Sequence, residues 1–217
     1  MAETELLKKD LFGEISLRHD ADQAVIVRDT STAKPWVRWL ARLLLRREAR
    51  SLLALESVDG TPDIVRLDKH RLERTFINGR PMHHARPEDP AYFRQCARLL
   101  RQLHAADVVH NDLAKEPNIL VRDDGTPAFV DYQLAWYAPG RGRLFRLLAW
   151  DDVRHLLKHK RTYCPEHLTA REKSILARPS APSRMFRATV KPVYLFVTRR
   201  LLGWADREGA HDRGERR

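Results

Sequence analysis

The chain has 217 residues, with 40 Lys and Arg against 29 Asp and Glu, giving a formal net charge of +11; this length suits one or two domains and is short for a large two-lobed enzyme. No apolar run approaches the ~18–20 residues of a bilayer span, MAETELLKKD at the start lacks a secretion-signal core, and Cys96 and Cys164 form no C-x-x-C pattern, so the sequence predicts a cytoplasmic protein without a disulfide framework or zinc site. The positive excess implies an anionic partner, and no DNA- or RNA-binding motif makes nucleic acid that partner.

Phe12-Gly13-Glu14 carries one glycine where a phosphate-gripping loop uses several to let backbone approach oxygen closely. Gln23-Ala24-Val25-Ile26-Val27-Arg28 reads as a short β-branched strand ending in a cation, with Lys34 as a second cation nearby. From Pro35 to Glu56, Trp36, Leu40, Leu43, Leu44, Leu52, Leu53 and Leu55 recur at a spacing that predicts helix. Asp63 to Leu67 and Arg71 to Ile77 read as two strands, closed by a turn at Asn78-Gly79-Arg80-Pro81. Pro90 to Ala106 places Tyr92, Phe93, Cys96, Leu99, Leu100 and Leu103 on one helical face, which predicts a core helix.

Residues 108–131, VVHNDLAKEPNILVRDDGTPAFVD, hold the chemistry. Ile119-Leu120-Val121 and Ala128-Phe129-Val130 flank an Asp124-Gly125 hairpin signal. Antiparallel pairing would set Asn118 and Asp131 roughly opposite, with Cβ atoms about 4.5–5.5 Å apart. An amide oxygen and a carboxylate suit Mg²⁺, which takes few protein oxygens and completes its shell with water and phosphate. Upstream, Asp112 is placed to accept or orient a hydroxyl proton, and Lys115 to offset charge on a transferred phosphate. Each residue alone also has a local explanation, since Asp and Asn commonly cap turns.

Later segments are plainer. Arg141 to Trp150 (RGRLFRLLAW) and Lys191 to Trp204 repeat the Trp, Leu and Arg mixture of Trp36 to Arg47; all three fit either a basic membrane-surface helix or a helix with its apolar face in the core. Asp151-Asp152 reads as a helix start, and His155 and His159, one turn apart, as a solvated basic face. Ala205 to Arg217 is charged and poor in apolar residues, which predicts a disordered tail.

These residues together resemble the protein-kinase-like superfamily. His110-Asn111-Asp112-Leu113 is similar to the H-R-D-L of its catalytic loop, Asn118 to its metal-binding Asn, and Asp131 to the Asp of D-F-G. The chain has one residue more between Asp112 and Asn118 than the usual loop, and Tyr132-Gln133 in place of Phe-Gly. That variation resembles atypical members: RIO-like, aminoglycoside and choline kinases, and lipopolysaccharide core kinases, the last group also having arginine where Arg28 ends its strand. The resemblance implies that Glu48 pairs with Arg28, that backbone near Arg74, Phe76 and Ile77 contacts adenine, and that Asp151-Asp152 holds the acid bracing the catalytic loop.

The resulting expectation is an α+β, reduced two-lobed protein-kinase-like fold. Residues 1–80 form a small antiparallel-sheet lobe with one helix, 81–204 a mostly helical lobe, and 205–217 the tail. The implied activity is transfer of the γ-phosphate of ATP, with Mg²⁺, to a hydroxyl, first a sugar of a membrane glycolipid such as the lipopolysaccharide inner core. A protein serine or threonine is the second acceptor, and an inactive pseudokinase module is the alternative class. The protein would work in the cytoplasm, peripherally on the inner face of an anionic membrane.

Overall fold

The computed structural model describes residues 3–20 and 23–178 of the chain. The expected helix at Lys191 to Trp204 and the expected tail at Ala205 to Arg217 lie outside the described residues.

The chain begins with a hairpin of β1 (Glu3–Asp10) and β2 (Gly13–His19). Asp10 Oδ1 accepts the Phe12 N–H at 2.8 Å in the turn. Gly13 has φ +125°, and a Cβ there would lie 2.0 Å from the Asp29 carbonyl oxygen, so the glycine permits the hairpin to close on the end of the third strand. That strand, β3 (Ala24–Asp29), buries Val25 and Val27 on alternation, with Arg28 buried beside them. After α1 (Arg38–Ala54), β4 (Ile64–Leu67) and β5 (Arg71–Thr75) complete a five-stranded antiparallel sheet of order β1-β2-β3-β5-β4.

Ala41, Leu45, Ala49 and Leu52 form the buried stripe of α1, and Glu48 lies within it at 0% exposure. A carboxylate placed there requires compensation, because burying an unpaired charge is prohibitive. Leu45, Leu52, Leu55 and Leu72 from this first part join Tyr92, Phe93, Leu99, Leu100 and Leu103 in one apolar cluster. Full burial of each such side chain contributes about 1.5–3 kcal/mol.

The second part starts with β6 (Arg80–Pro81) and α2 (Met82–Ala85). In α3 (Pro90–Ala105) Pro90 occupies the first turn, Asp89 caps it by accepting the Ala91 N–H at 2.7 Å, and the expected apolar face is buried. Then come β7 (Val108–Val109), a 3₁₀ turn at Glu116–Asn118, β8 (Ile119–Val121) and β9 (Pro127–Phe129). Strands β6, β8 and β9 form a three-stranded sheet. A 3₁₀ turn at Tyr132–Leu134 leads to β10 (Trp136–Tyr137), which pairs with β7. Last are α4 (Arg143–Tyr163) and α5 (Ala170–Ala177), the latter opened by a Thr169/Glu172 capping box.

The chain is thus α+β, with a small antiparallel sheet first and helices after it. Two readings of the α4 region change. The helix begins at Arg143, so Asp152 lies within it and does not cap it, and Arg143 to Trp150 share one helix with the two histidines. Nor do those histidines form a solvated face: His159 is 7% exposed and His155 is largely buried. The segment turns its histidine side inward because it packs on the loop after β7.

Candidate active site

Asp152 organises that loop. Its Oδ2 accepts the His110 N–H at 2.8 Å and its Oδ1 the Asn111 N–H at 2.9 Å. Asn111 has φ +62°, a left-handed conformation that asparagine tolerates, and this turns two successive N–H groups toward one carboxylate. His110 is fully buried, and its Nε2 lies 3.0 Å from the Val130 carbonyl, which fixes the proton on that nitrogen. Burial pushes the His110 pKa down despite the nearby carboxylates of Asp152, Asp131 and Asp112. The ring stays neutral and ties the loop to the second hairpin.

Further along the same face of α4, His159 Nε2 lies 2.8 Å from the Leu113 carbonyl oxygen, and the Tyr163 hydroxyl donates to the Glu116 carboxylate. Asp152, His159 and Tyr163 therefore hold the loop at successive points. The bracing acid was expected at Asp151-Asp152; the other two were missed. Their only sequence signal is the spacing, which places 152, 159 and 163 on one side of a helix.

Between these clamps the loop presents Asp112, 9% exposed. Asn118 Nδ2 donates to Asp112 Oδ2 at 3.0 Å and to its main-chain carbonyl at 3.1 Å. Lys115 Nζ lies 2.9 Å from the same Oδ2. The extra loop residue is absorbed by consecutive turns, Lys115 N–H to Asp112 O and Asn118 N–H to Lys115 O, around rigid Pro117. Because Asn118 spends its amide nitrogen on Asp112, its Oδ1 remains the atom suited to a hard cation.

The hairpin register is Ile119↔Phe129, and the Val130 N–H donates to the Asn118 carbonyl at 3.0 Å. Asn118 thus faces Val130, and Asp131 sits one residue beyond the position expected from the turn. Strand alternation alone would aim Asp131 to the opposite face. Instead Asp131 adopts φ +63°, ψ +67°, leaves the strand path and lines the adjoining cleft.

That cleft, ≈ 220 Å³, opens between the β1–β2 hairpin and the residues after β9, and its charged lining is Lys8, Arg28 and Arg74 with Asp10, Glu14 and Asp131. At its back Arg28 Nη1 donates to Glu48 Oε2 at 2.7 Å, the pairing expected from the resemblance. Arg74 was expected to act through its backbone; that backbone is interior to the sheet, paired with Ile26 and Ile64. Its side chain enters instead: Arg74 Nη1 pairs with Glu48 Oε1 at 2.8 Å, so both oxygens of that carboxylate meet an arginine. One carboxylate thus meets two guanidiniums, and Asp10, Glu14 and Asp131 line the same cleft as Lys8, Arg28 and Arg74.

Phe76 and Ile77 do not line this cleft, and the Phe76 N–H is committed to the Ala24 carbonyl at 3.0 Å. Gly13 lines it as the single glycine of its hairpin. Arg47, beside Glu48, points the other way, donating from Nε to the Ala135 carbonyl at 2.6 Å and from Nη2 to that of Leu134 at 3.2 Å. Partial burial lowers its pKa. Elsewhere Cys164, Glu166 and His167 bring one ligand atom each within 4.8 Å of one another. The Cys164 thiol donates to the Glu88 carbonyl, and burial raises its pKa.

No protein-family model matches the chain, and no curated protein sequence matches it. Function therefore has to be argued from this geometry.

Proposed function

We propose that the protein is an ATP-dependent phosphotransferase with a hydroxyl acceptor. The observation that carries the reading is the Arg28–Glu48–Arg74 group, in which one buried carboxylate holds two arginines that line a cleft with Asp131. The remaining guanidinium N–H groups of Arg28 and Arg74 suit phosphate oxygens, and Asp131 on the same cleft suits a cation that would accompany them.

The chain's own residues divide the work. Arg28 and Arg74 hold non-transferred phosphates, with Glu48 fixing both guanidinium planes. Asn118 Oδ1 and Asp131 are the residues that would hold Mg²⁺, which when bound neutralises charge on the phosphate oxygens. Asp112 orients the acceptor hydroxyl and takes its proton, and Lys115, already at 2.9 Å from Asp112, stands beside the incoming oxygen. Adenine would lie toward Phe76 and Ile77, outside the phosphate-sized cleft. A lipid-linked sugar is the preferred acceptor class, because exposed apolar and basic residues adjoin the catalytic loop; a protein hydroxyl is second.

A binding module without turnover is the competing reading, favoured by the engagement of Asp112 Oδ2 by both Lys115 and Asn118. Magnesium-dependent ATP turnover with lipid-linked and protein acceptors, compared with Asp112→Ala and Asp131→Ala, separates the two. Turnover abolished in both variants supports the transferase. Nucleotide binding by the wild type with turnover no higher than in the variants establishes the module.

A further inference from the structure

The outer side of α1 is not a polar surface. Trp39, Leu43, Arg46, Arg50 and Leu53 recur every three or four residues and are all exposed, Trp39 at 66% and Leu43 at 54%. The first turns of α4 repeat the pattern, exposing Leu144, Leu147 and Trp150 with Arg143 and Arg146. The two helices are joined by the segment after the second hairpin. Arg47 of α1 holds the Leu134 and Ala135 carbonyls, while Trp136 packs against the Val109, Ala138 and Phe145 cluster that seats α4. Leu134 and Tyr137 are exposed between them. Asn111, next to Asp112, donates its side-chain N–H to the Leu134 carbonyl at 3.3 Å, so the face borders the catalytic loop.

We propose that this face, formed by the outer stripe of α1, Leu134, Tyr137 and the first turns of α4, docks on an anionic lipid leaflet. Indole and leucine side chains enter the acyl boundary while the interleaved arginines meet lipid phosphates. Charge selects this occupant. From Lys34 to Leu55 the only acid is the buried Glu48, and from Gln133 to Trp150 there is none. An anionic bilayer complements both.

That docking presents Asp112 to a lipid-borne hydroxyl rests on the phosphotransfer reading; docking itself does not. The test uses the full chain without nucleotide and vesicles of phosphatidylcholine alone or with phosphatidylglycerol, some with brominated acyl chains. Partition onto the anionic vesicles is expected to be at least about tenfold stronger and to weaken with salt. Brominated lipids should quench tryptophan emission, and Trp39→Ser with Trp150→Ser should remove most of that quenching. Arg46→Gln, Arg50→Gln, Arg143→Gln and Arg146→Gln together should abolish the preference for anionic lipid without altering the circular dichroism spectrum. Equal binding to both vesicle types, or quenching unchanged in the double variant, overturns the proposal. So does a Trp39 and Trp150 contribution already shielded from iodide in the lipid-free protein, since the chain would then cover the face itself. An inactive protein that still docks refutes only the enzyme reading.

Discussion

Replacing Asp152 by alanine removes the acceptor of two successive backbone N–H groups, at 2.8 and 2.9 Å, from a side chain with no exposure. A buried donor left without a partner costs about 1–3 kcal/mol, and hydrogen bonds to a charged acceptor lie at the upper end. Two such donors give about 4 kcal/mol, set against a total stability of about 5–15 kcal/mol. Asn111 compounds the effect, because its left-handed backbone is held by the bond that is lost. In urea, with a slope of about 2 kcal/mol per molar, the midpoint should fall by roughly 2 M at unchanged slope. Asp152→Asn should recover only part, since its amide retains one acceptor oxygen and turns an N–H toward another donor. A midpoint within about 0.5 M of wild type for Asp152→Ala would refute the argument that this carboxylate organises the loop.

Glu48→Gln should cost about 3–5 kcal/mol in urea unfolding, the penalty for stranding buried guanidinium charge; a loss below about 1 kcal/mol would show that both arginines reach water. Arg74→Met leaves Arg28 and Glu48 as a neutral pair, so the protein should stay folded while ATP affinity, measured calorimetrically, drops about tenfold or more for a lost charge-assisted bond. Gly13→Ala should destabilise by several kcal/mol, since the added Cβ meets the Asp29 carbonyl at 2.0 Å in a backbone region alanine disfavours. For pH, His110 and His155 have pKa values pushed below their ordinary value by burial. The unfolded chain therefore binds protons first as pH falls below about 6.5, and stability should decline from there toward pH 5. His110→Gln should flatten that decline, and parallel profiles of unfolding free energy would count against the assignment.

Local patterns carried β3, β4, β5, β8 and β9, helices α1 and α3 and the Asp-Gly hairpin, because each is fixed by periodicity or a turn residue close in sequence; the charged β1–β2 hairpin was not read, since its residues lack that alternation. Glu48 as the partner of Arg28 was legible from the resemblance, and the pair forms. What sequence did not reveal depends on contacts between distant segments. Arg74 lies on an interior strand, and only the sheet order that puts β5 beside β3 brings its side chain to Glu48. His159 is ambiguous alone, as any histidine on a basic helix is, until the loop carbonyl of Leu113 is placed against it. Asp131 shows the limit of counting from a turn: it lies one residue beyond the partner of Asn118 and leaves the strand path through a left-handed backbone that no periodicity announces.

Arg47 and Glu48 are neighbours that reach opposite ways, one to the carbonyls after the second hairpin and the other to two strands of the first sheet. Helix α1 is thereby pinned on both flanks at a single level. Swinging it outward would break four polar contacts at once and strand three guanidiniums and a carboxylate, so helix displacement is a poor on–off switch for this protein. Any conformational control would have to act elsewhere in the chain than on this helix.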